Sequence, residues 1–239
     1  MARINIGTAG WSIPRQDAGA FPEEGTSLER YATRFAVAEI NSSFHRPHRA
    51  STWERWRDSV PDDFRFSAKI PKTITHQAKL VDCAGLLEEF LRQAGALGEK
   101  LAVLLVQLPP KLGFDAAIAV RFFSMLGESS HAKIACEPRH PGWFTAEAEA
   151  VLEENHIARV AADPAICNEA ARPGGWGRFS YWRLHGSPVI YRSSYGDRIA
   201  DYAALLRAEN RESWCIFDNT ASSAGAGDAL ALMEALRQA

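Results

Sequence analysis

The sequence lacks any long apolar run. No stretch of its 239 residues approaches about 18 consecutive apolar side chains, the length from which a membrane-spanning helix is expected. The amino-terminal segment MARINIGTAGWS also lacks the basic, apolar and small-residue blocks of a signal peptide. We therefore expect a cytoplasmic protein without membrane contact.

Cysteine is scarce, and its spacing argues against disulfide and zinc frameworks. Cys83, Cys136, Cys167 and Cys215 lie 53, 31 and 48 residues apart, with no C-x-x-C pair. Cys136 and Cys215 lie in apolar runs, where a free cysteine behaves as a small buried hydrophobe. We predict four reduced thiols.

An excess of charge of either sign is also absent. The 27 Lys and Arg residues face 29 Asp and Glu residues, a formal net charge of −2. Overall charge therefore supplies no long-range attraction to nucleic acid or to an anionic membrane, and such contact would need a local patch. The apolar fraction of 46% is ordinary for a chain that buries a sizeable core, which excludes intrinsic disorder, collagen and coiled coil.

Short β-rich segments recur along the chain and predict eight strands. They begin at Ile4, Ala36, Phe64, Ala102, Lys133, Ala158, Tyr181 and Trp214. Most of the intervening segments carry apolar residues at helical spacing, and the clearest begin at Leu86, Ala116, Ala146, Ala200 and Gly227. Alternating strands and helices imply a parallel sheet, and eight units of about 30 residues match a (β/α)8 TIM-like barrel. Residues 1–239 are predicted to form this single α/β domain.

The sixth strand–helix unit is predicted to be irregular. Its segment NEAARPGGWGRF, residues 168–179, contains Pro and Gly and shows no helical period, so we expect a loop or one turn. The alternative fold is an open doubly wound sheet, which usually has a Gly-rich turn after its first strand. The segment IGTAGWSIP from Ile6 lacks G-x-G-x-x-G, so the barrel is favoured.

Polar side chains crowd the carboxyl ends of the predicted strands. Because side chains alternate faces along a strand, and a charge against the apolar helix layer is costly unless paired, the polar set should point into the barrel. The set comprises Glu39, Asn41, Lys69, Gln107, Glu137, Arg139, Asp163, Arg183, His185, Asp218 and Asn219. Barrel enzymes have their active sites at this end. The alternative interpretation is a layer of internal salt bridges that fills the barrel.

The same segments resemble the YecE-like family, domain of unknown function 72. The resemblance covers essentially the whole chain and rests on IGTAGWS from Ile6, EINSSFHR from Glu39, W-x-x-W at Trp53, FRFSAKIPKTITH from Phe64, VQLPPKLGF from Val106, EPRHPGWF from Glu137, YWRLHG from Tyr181 and FDNTASSAGAGDAL from Phe217. It implies a TIM-like barrel in a bacterial cytoplasmic protein and gives no substrate. Matching positions include Phe44, His76, His140, Trp143 and Gly186. Two places depart from the family pattern, at Asp218, where a second Asn is common, and at IYRSSYGD around Tyr191.

Glu39 and Glu137 are the predicted catalytic carboxylates. Two acids from different strands in one pocket can acquire different pKa values and divide general acid and base work. His185 would assist as an acid or base. The alternative is that Glu39 pairs with Lys69 or Arg183, and Glu137 with Arg139.

A cationic opening is the predicted ligand-binding element. Lys69, Arg139 and Arg183 would place positive charge around it, where guanidinium groups bind carboxylate or phosphate in a bidentate fork. The further predicted ligand-binding residues are Asn41, Gln107, Asn219, Phe44 and Trp143. No metal is predicted, because these cations would repel a divalent ion, and no cofactor is predicted, because no dinucleotide, Walker or haem motif is present.

The sequence thus predicts an enzyme of the hydrolase or isomerase type that binds a polar, anionic ligand at the barrel mouth. A sugar phosphate or a nucleic-acid backbone fits this description, although net charge does not support nucleic acid. Two alternatives stay open: a metal-dependent phosphodiesterase-like barrel acting on nucleic acid, and a binding barrel without turnover. The fold cannot separate them, because one barrel hosts many chemistries.

Overall fold

Strands and helices alternate along the chain in the computed structural model, which describes residues 2–238. The strands are β1 (Ile4–Thr8), β2 (Val37–Ile40), β3 (Arg65–Lys69), β4 (Leu101–Gln107), β5 (Lys133–Glu137), β6 (Ile157–Arg159), β7 (Ala161–Asp163), β8 (Gly174–Gly175), β9 (Phe179–Leu184) and β10 (Glu212–Phe217). The helices are α1 (Ser27–Ala32), α2 (Ala50–Asp58), α3 (Ala84–Ala94), α4 (Ala116–Ser129), α5 (Ala146–Glu154), α6 (Ile199–Arg207) and α7 (Gly225–Arg237). Within residues 2–238, no helix combines the length and the apolar character needed to cross a membrane.

The strands form two sheets. One has the order β1-β10-β9-β7 and the other the order β2-β3-β4-β5-β6-β8, and all pairs are parallel except β6 with β8. The sheets approach each other through a parallel bridge between Ala9 and Glu39, where Gly10 N donates to Glu39 O at 2.8 Å. They are also joined at Val160, where the chain passes directly from β6 to β7. The pairing therefore consists of two linked sheets, with the predicted sixth strand divided between them.

Side-chain caps fix where several helices begin. Thr26 and Glu29 form a reciprocal capping box at the start of α1. Asp115 accepts from the Ile118 amide at the start of α4, and Thr145 caps α5 in the same way. Each cap satisfies an amide that the first helical turn leaves without a partner.

The sixth unit is irregular, as predicted. Between β7 and β9 the described chain contains a short 3-10 turn, Glu169–Ala171, and the two-residue strand β8, but no α-helix. Gly175 adopts φ of +63°, and a Cβ there would lie 2.3 Å from Ile157 O. Glycine at this position permits β8 to approach β6 closely.

Two apolar clusters confirm the predicted alternation of faces. The outer cluster joins strands to helices and includes Trp182 and Leu184, whereas the inner cluster lies between the strands and includes Tyr181 and Val103. Because Arg183 shares its face with Tyr181, its side chain points inward. Trp53 and Trp56 pack together on α2 against the outer cluster, also as predicted. All four cysteines are free thiols, and Cys136 and Cys215 are buried.

Candidate functional site

Strand register brings polar side chains together at one end of the inner face. Ile40 pairs with Ala68, so Asn41 follows β2 beside the end of β3 at Lys69. Gln107 pairs with Glu137 across β4 and β5. In the other sheet, the neighbouring strands β9 and β10 are followed directly by His185 and Asp218. We call the buried set Glu39, Glu137, Arg183, His185 and Asp218 the charged floor.

Arg183 is the centre of the charged floor. Its side chain is 1% exposed and binds three carboxylates. Nε and Nη2 donate to the two oxygens of Glu39 at 3.0 and 2.6 Å, Nη1 donates to Glu137 Oε2 at 2.6 Å, and Nη2 also donates to Asp218 Oδ2 at 2.9 Å. The fork on Glu39 is the bidentate geometry that makes Arg–carboxylate pairs strong.

His185 joins the other two carboxylates of the floor. Nδ1 donates to Asp218 Oδ2 at 2.9 Å, since an ionised carboxylate can only accept. Nε2 lies 2.9 Å from Glu137 Oε1 and 2.8 Å from Arg139 Nη2. Arg139 also forms an ion pair with Glu137. The imidazole is therefore fixed on both sides and is fully buried.

Glu39 is enclosed by neutral donors as well as by Arg183. Tyr181 donates its hydroxyl to Glu39 Oε2 at 2.9 Å and in turn lies 2.7 Å from Ser67 Oγ. Burial, and next the charge of Glu39, raise the pKa of the Tyr181 hydroxyl well above its usual range. Tyr181 therefore stays a neutral donor.

The charged floor keeps Glu137 and Asp218 ionised. Burial would raise the pKa of Glu137, but Arg183, Arg139 and His185 outweigh it and hold that pKa well below the usual range. For Asp218, burial is again outweighed, by Arg183 and by the hydrogen bond from His185, so its pKa is lowered. The alternative interpretation of both predicted catalytic acids is thus what the structure contains: Glu39 pairs with Arg183, and Glu137 with Arg139.

Lys69 stands apart from the floor. Its side chain is mostly buried, and among residues 2–238 no carboxylate lies within ion-pair distance of its ammonium. Nζ instead lies 4.2 Å from the centre of the Phe44 ring, a cation–π contact. Burial first, and then the charge of Arg183, lower the pKa of Lys69 to about 8.

Three further polar atoms, each just beyond the end of a strand, are buried without a hydrogen-bond partner among the described residues. They are Asn41 Oδ1, Arg139 Nε and Asn219 Oδ1. Buried polar atoms are rarely left unpaired, because desolvation without compensation is costly. Asn41 and Lys69 lie at the ends of the neighbouring strands β2 and β3, whereas Arg139 is paired with Glu137 and keeps only its Nε without a partner.

Three residues that the sequence places at the predicted site, Trp143 and Asn219 as ligand-binding residues and Asp163 as an inward-pointing one, make their contacts elsewhere. Trp143 is 1% exposed and donates its indole N–H to Leu112 O at 3.0 Å, so it packs in the outer core. Asn219 is fully buried and donates to Ser193 O and to Asp228, which ties loops together. Asp163 faces α6, where it binds Arg198 and Tyr202. Trp143 and Asn219 lie beyond the ends of their strands, where side chains no longer follow the alternation of faces.

Asp218 and Tyr181 were not predicted as catalytic or ligand-binding residues, yet Asp218 is part of the charged floor and Tyr181 donates to Glu39 in it. A signal for each was present: Tyr181 shares the face of Arg183, and Asp218 follows β10 where other strands end in polar residues. Gln107, predicted to orient a ligand, is half-buried and makes one long contact, 3.4 Å to Leu108 O.

The floor offers little to a metal ion. Within the part of the chain that the structure describes, no group of three or more His, Cys, Asp or Glu side chains is arranged to hold a cation. Of the carboxylate oxygens that a hard cation would need, both of Glu137 and one of Asp218 already accept from Arg183, Arg139 and His185.

Comparisons with known proteins agree on one family. The family model described as "Protein of unknown function DUF72" matches residues 5–239. UPF0759 protein YecE of Escherichia coli K12 is 34% identical over 177 residues, which cover 71% of this chain and 62% of that protein. The chain thus spans less than two thirds of the length of this relative.

Solved structures show the same fold. A DUF72 family protein of Enterococcus faecalis V583 superposes with a TM-score of 0.81 at 20% identity, covering 99% of this chain and 96% of the other. A xylose isomerase-like TIM barrel/4-hydroxyphenylpyruvate dioxygenase fusion protein superposes with a TM-score of 0.51 at 12% identity, covering 98% of this chain and 42% of the other. At such identities the likeness concerns the fold alone, which is α/β with TIM-barrel-like neighbours. With the family model matching nearly its whole length, the chain belongs to the DUF72 family, as its resemblance to YecE-like proteins predicted.

Proposed function

We propose that the chain is a single-domain (β/α)8 barrel enzyme of the hydrolase or isomerase type that binds a small anionic ligand, such as a sugar phosphate, at the carboxyl ends of its strands. The barrel is supported by the Ala9–Glu39 bridge between β1 and β2 and by the direct passage from β6 to β7 at Val160. These two links would close the two sheets into one ring.

The observation that carries the ligand class is the unpaired ammonium of Lys69. Burial removes water from the ammonium of Lys69, and an anion placed beside Nζ would compensate for that lost hydration. A ligand hydroxyl would donate to the unpartnered Asn41 Oδ1. Arg139, whose Nε also lacks a partner, adds a second cation at the end of β5. A ligand that carries both an anionic group and a hydroxyl would interact favourably with Lys69, Asn41 and Arg139.

Proton transfer in this proposal belongs to Lys69 rather than to the carboxylates. A general acid or base works best when its pKa lies near the operating pH, and that of Lys69 is about 8. Glu39 accepts hydrogen bonds at both oxygens from Arg183 and Tyr181, so it acts as a positioning residue. Glu137 and Asp218 hold His185, which is the second candidate for proton transfer.

The test is a thermal-shift titration with inorganic phosphate and glucose 6-phosphate. A ligand at about 100 times its dissociation constant adds about 2.7 kcal/mol, which for a chain of this size raises Tm by about 5–11 °C. Lys69→Met should abolish the shift, whereas the matched variant at an exposed lysine, Lys111→Met, should keep it. An equal shift in Lys69→Met would refute the anion site.

Turnover is tested separately, by phosphorus NMR of glucose 6-phosphate incubated with the protein. A new resonance that Lys69→Met fails to produce supports the enzyme. A ligand that binds and emerges unchanged supports a binding barrel instead, and turnover that a chelator abolishes supports the metal-dependent alternative.

A further inference from the structure

A groove is lined in part by Phe44. It has a volume of about 230 Å³ and lies between the segment that follows β2, the segment that follows β3, and α3. Its apolar lining consists of Phe44, Pro47, Trp53, Pro71, Leu86 and Phe90. A cavity of about 150 Å³ accommodates a benzene ring in an engineered protein, so this groove has room for one substituted aromatic ring.

Phe44 joins the groove to the proposed anion site. Its ring lines the groove and also carries the ammonium of Lys69, 4.2 Å from the ring centre. His45 and His76 pack edge-on against the same ring, both with centroids 5.0 Å away. A molecule with an anionic group at Lys69 and a flat group beside Phe44 would therefore occupy both places at once.

The polar groups of the groove select for a negatively charged ligand with an acceptor. The indole N–H of Trp53 is buried and has no acceptor among residues 2–238. Arg46 and Lys72 line the groove and form no ion pair within the described chain, whereas the acidic lining residue Glu89 is already paired with Arg92. Uncompensated positive charge is thus left at the groove.

We infer that the ligand of this protein is an anion that bears an aromatic group, with the ring seated in the groove and the anion at Lys69. This rests on the proposed function and narrows its substrate class. Aromatic walls favour a ring over an aliphatic chain, because ring pairs gain from edge-to-face geometry beyond the area they bury. The groove is apolar and the site at Lys69 is cationic, so the contribution of each to binding can be tested independently.

The experiment compares phenylphosphonate with methylphosphonate by isothermal titration calorimetry. The two probes carry the same anionic group and differ only in the apolar substituent, and neither has a phosphate ester bond to hydrolyse. Burial of the ring should make phenylphosphonate bind about tenfold more tightly or better. Lys69→Met should abolish binding of both.

Substitutions in the groove separate its contribution to binding from that of Lys69. Leu86→Gln, at an exposed position of α3, should remove most of the preference for phenylphosphonate and leave methylphosphonate unchanged. The matched control is Val120→Gln on α4, since Val120 is similarly exposed, 41% against 46% for Leu86, but lies outside the groove. Trp53→Phe keeps a ring and removes the unpaired N–H, so it should weaken phenylphosphonate and spare methylphosphonate.

Each outcome decides between the two proposals. Equal binding of both probes, lost in Lys69→Met, would overturn the groove and leave the anion site standing. Binding of phenylphosphonate that survives Lys69→Met but is lost in Leu86→Gln would support the groove and overturn the anion site. Absence of binding by either probe would overturn both.

Discussion

Removing the side-chain charge of Arg183 should destabilise the protein more than removing any exposed charge would. In the native protein, three buried carboxylates share the guanidinium of Arg183. Arg183→Met keeps the apolar part of the side chain but leaves these three carboxylates without that cation. Breaking a buried pair costs about 3–5 kcal/mol, which for a domain of this length lowers Tm by about 6–20 °C. That is a large part of the roughly 5–15 kcal/mol that holds a typical domain folded.

The pH dependence of the variant distinguishes lost charge from lost packing. In the native protein Glu137 has a lowered pKa, so its pairing stabilises the fold above the ordinary glutamate pKa and is lost as pH falls through the folded value. Arg183→Met removes the main cause of that lowering. The difference in Tm between the two proteins should therefore be widest near neutral pH and should narrow on acidification, because protonated carboxyls no longer need the cation.

Calorimetric melting at several pH values measures both effects. The matched control is Arg92→Met, which removes an exposed arginine from its pair with Glu89 and should leave Tm close to that of the native protein. A drop of less than about 2 °C in Arg183→Met, on the same scale of Tm per kcal/mol, would refute the account of the floor. A large drop that is independent of pH would assign the loss to packing.

The remaining predictions concern the anion site, the sheet and the thiols. Sulfate, whose charge is constant in this range, should bind progressively more weakly as pH rises from 7 to 9, because Lys69 loses its proton near pH 8; calorimetric affinities unchanged over this range would contradict this. Gly7→Ala should lower Tm sharply, since a Cβ there would lie 2.3 Å from a backbone oxygen of β2, whereas Gly85→Ala, with open space in α3, should raise stability by about 0.4–1 kcal/mol; equal melting of the two variants would contradict this. Of the four cysteines, the half-buried Cys167 should react quickly with a thiol reagent in the native protein, and the rest only after denaturation, as counted by absorbance.

Much of the fold follows from periodicity in the sequence. The helices predicted near Leu86 and Ala116 are present as α3 and α4, and the missing helix of the sixth unit follows from its glycines. Periodicity did not reveal that the sixth strand is divided at Val160. A division within a short buried strand leaves its apolar pattern unchanged, so only the hydrogen-bond pairing shows it.

The sequence predicts which side chains of the candidate site point inward, but not which acid pairs with which cation. Alternation along the strands placed Glu39, Glu137 and Arg183 on the inner face, where the structure has them. It left open which acid each cation would bind. Arg183 and Glu39 are 144 residues apart in the chain, so their contact depends on how far each strand extends into the shared interior.

The distribution of charge explains how the charged floor would leave Lys69 free for the proposed anion site. Counting formal charges, the carboxylates of Glu39, Glu137 and Asp218 are matched in number by Arg183, Arg139 and Lys69, yet Lys69 touches none of them. Arg183 binds all three acids, so they cannot turn to pair with Lys69 and quench it. A cation that is held in a buried position without a direct partner is one that an incoming anion can use. The ion pairs of the charged floor, which considered alone would only fill the space between the strands, thereby leave the positive charge of Lys69 available for the proposed ligand.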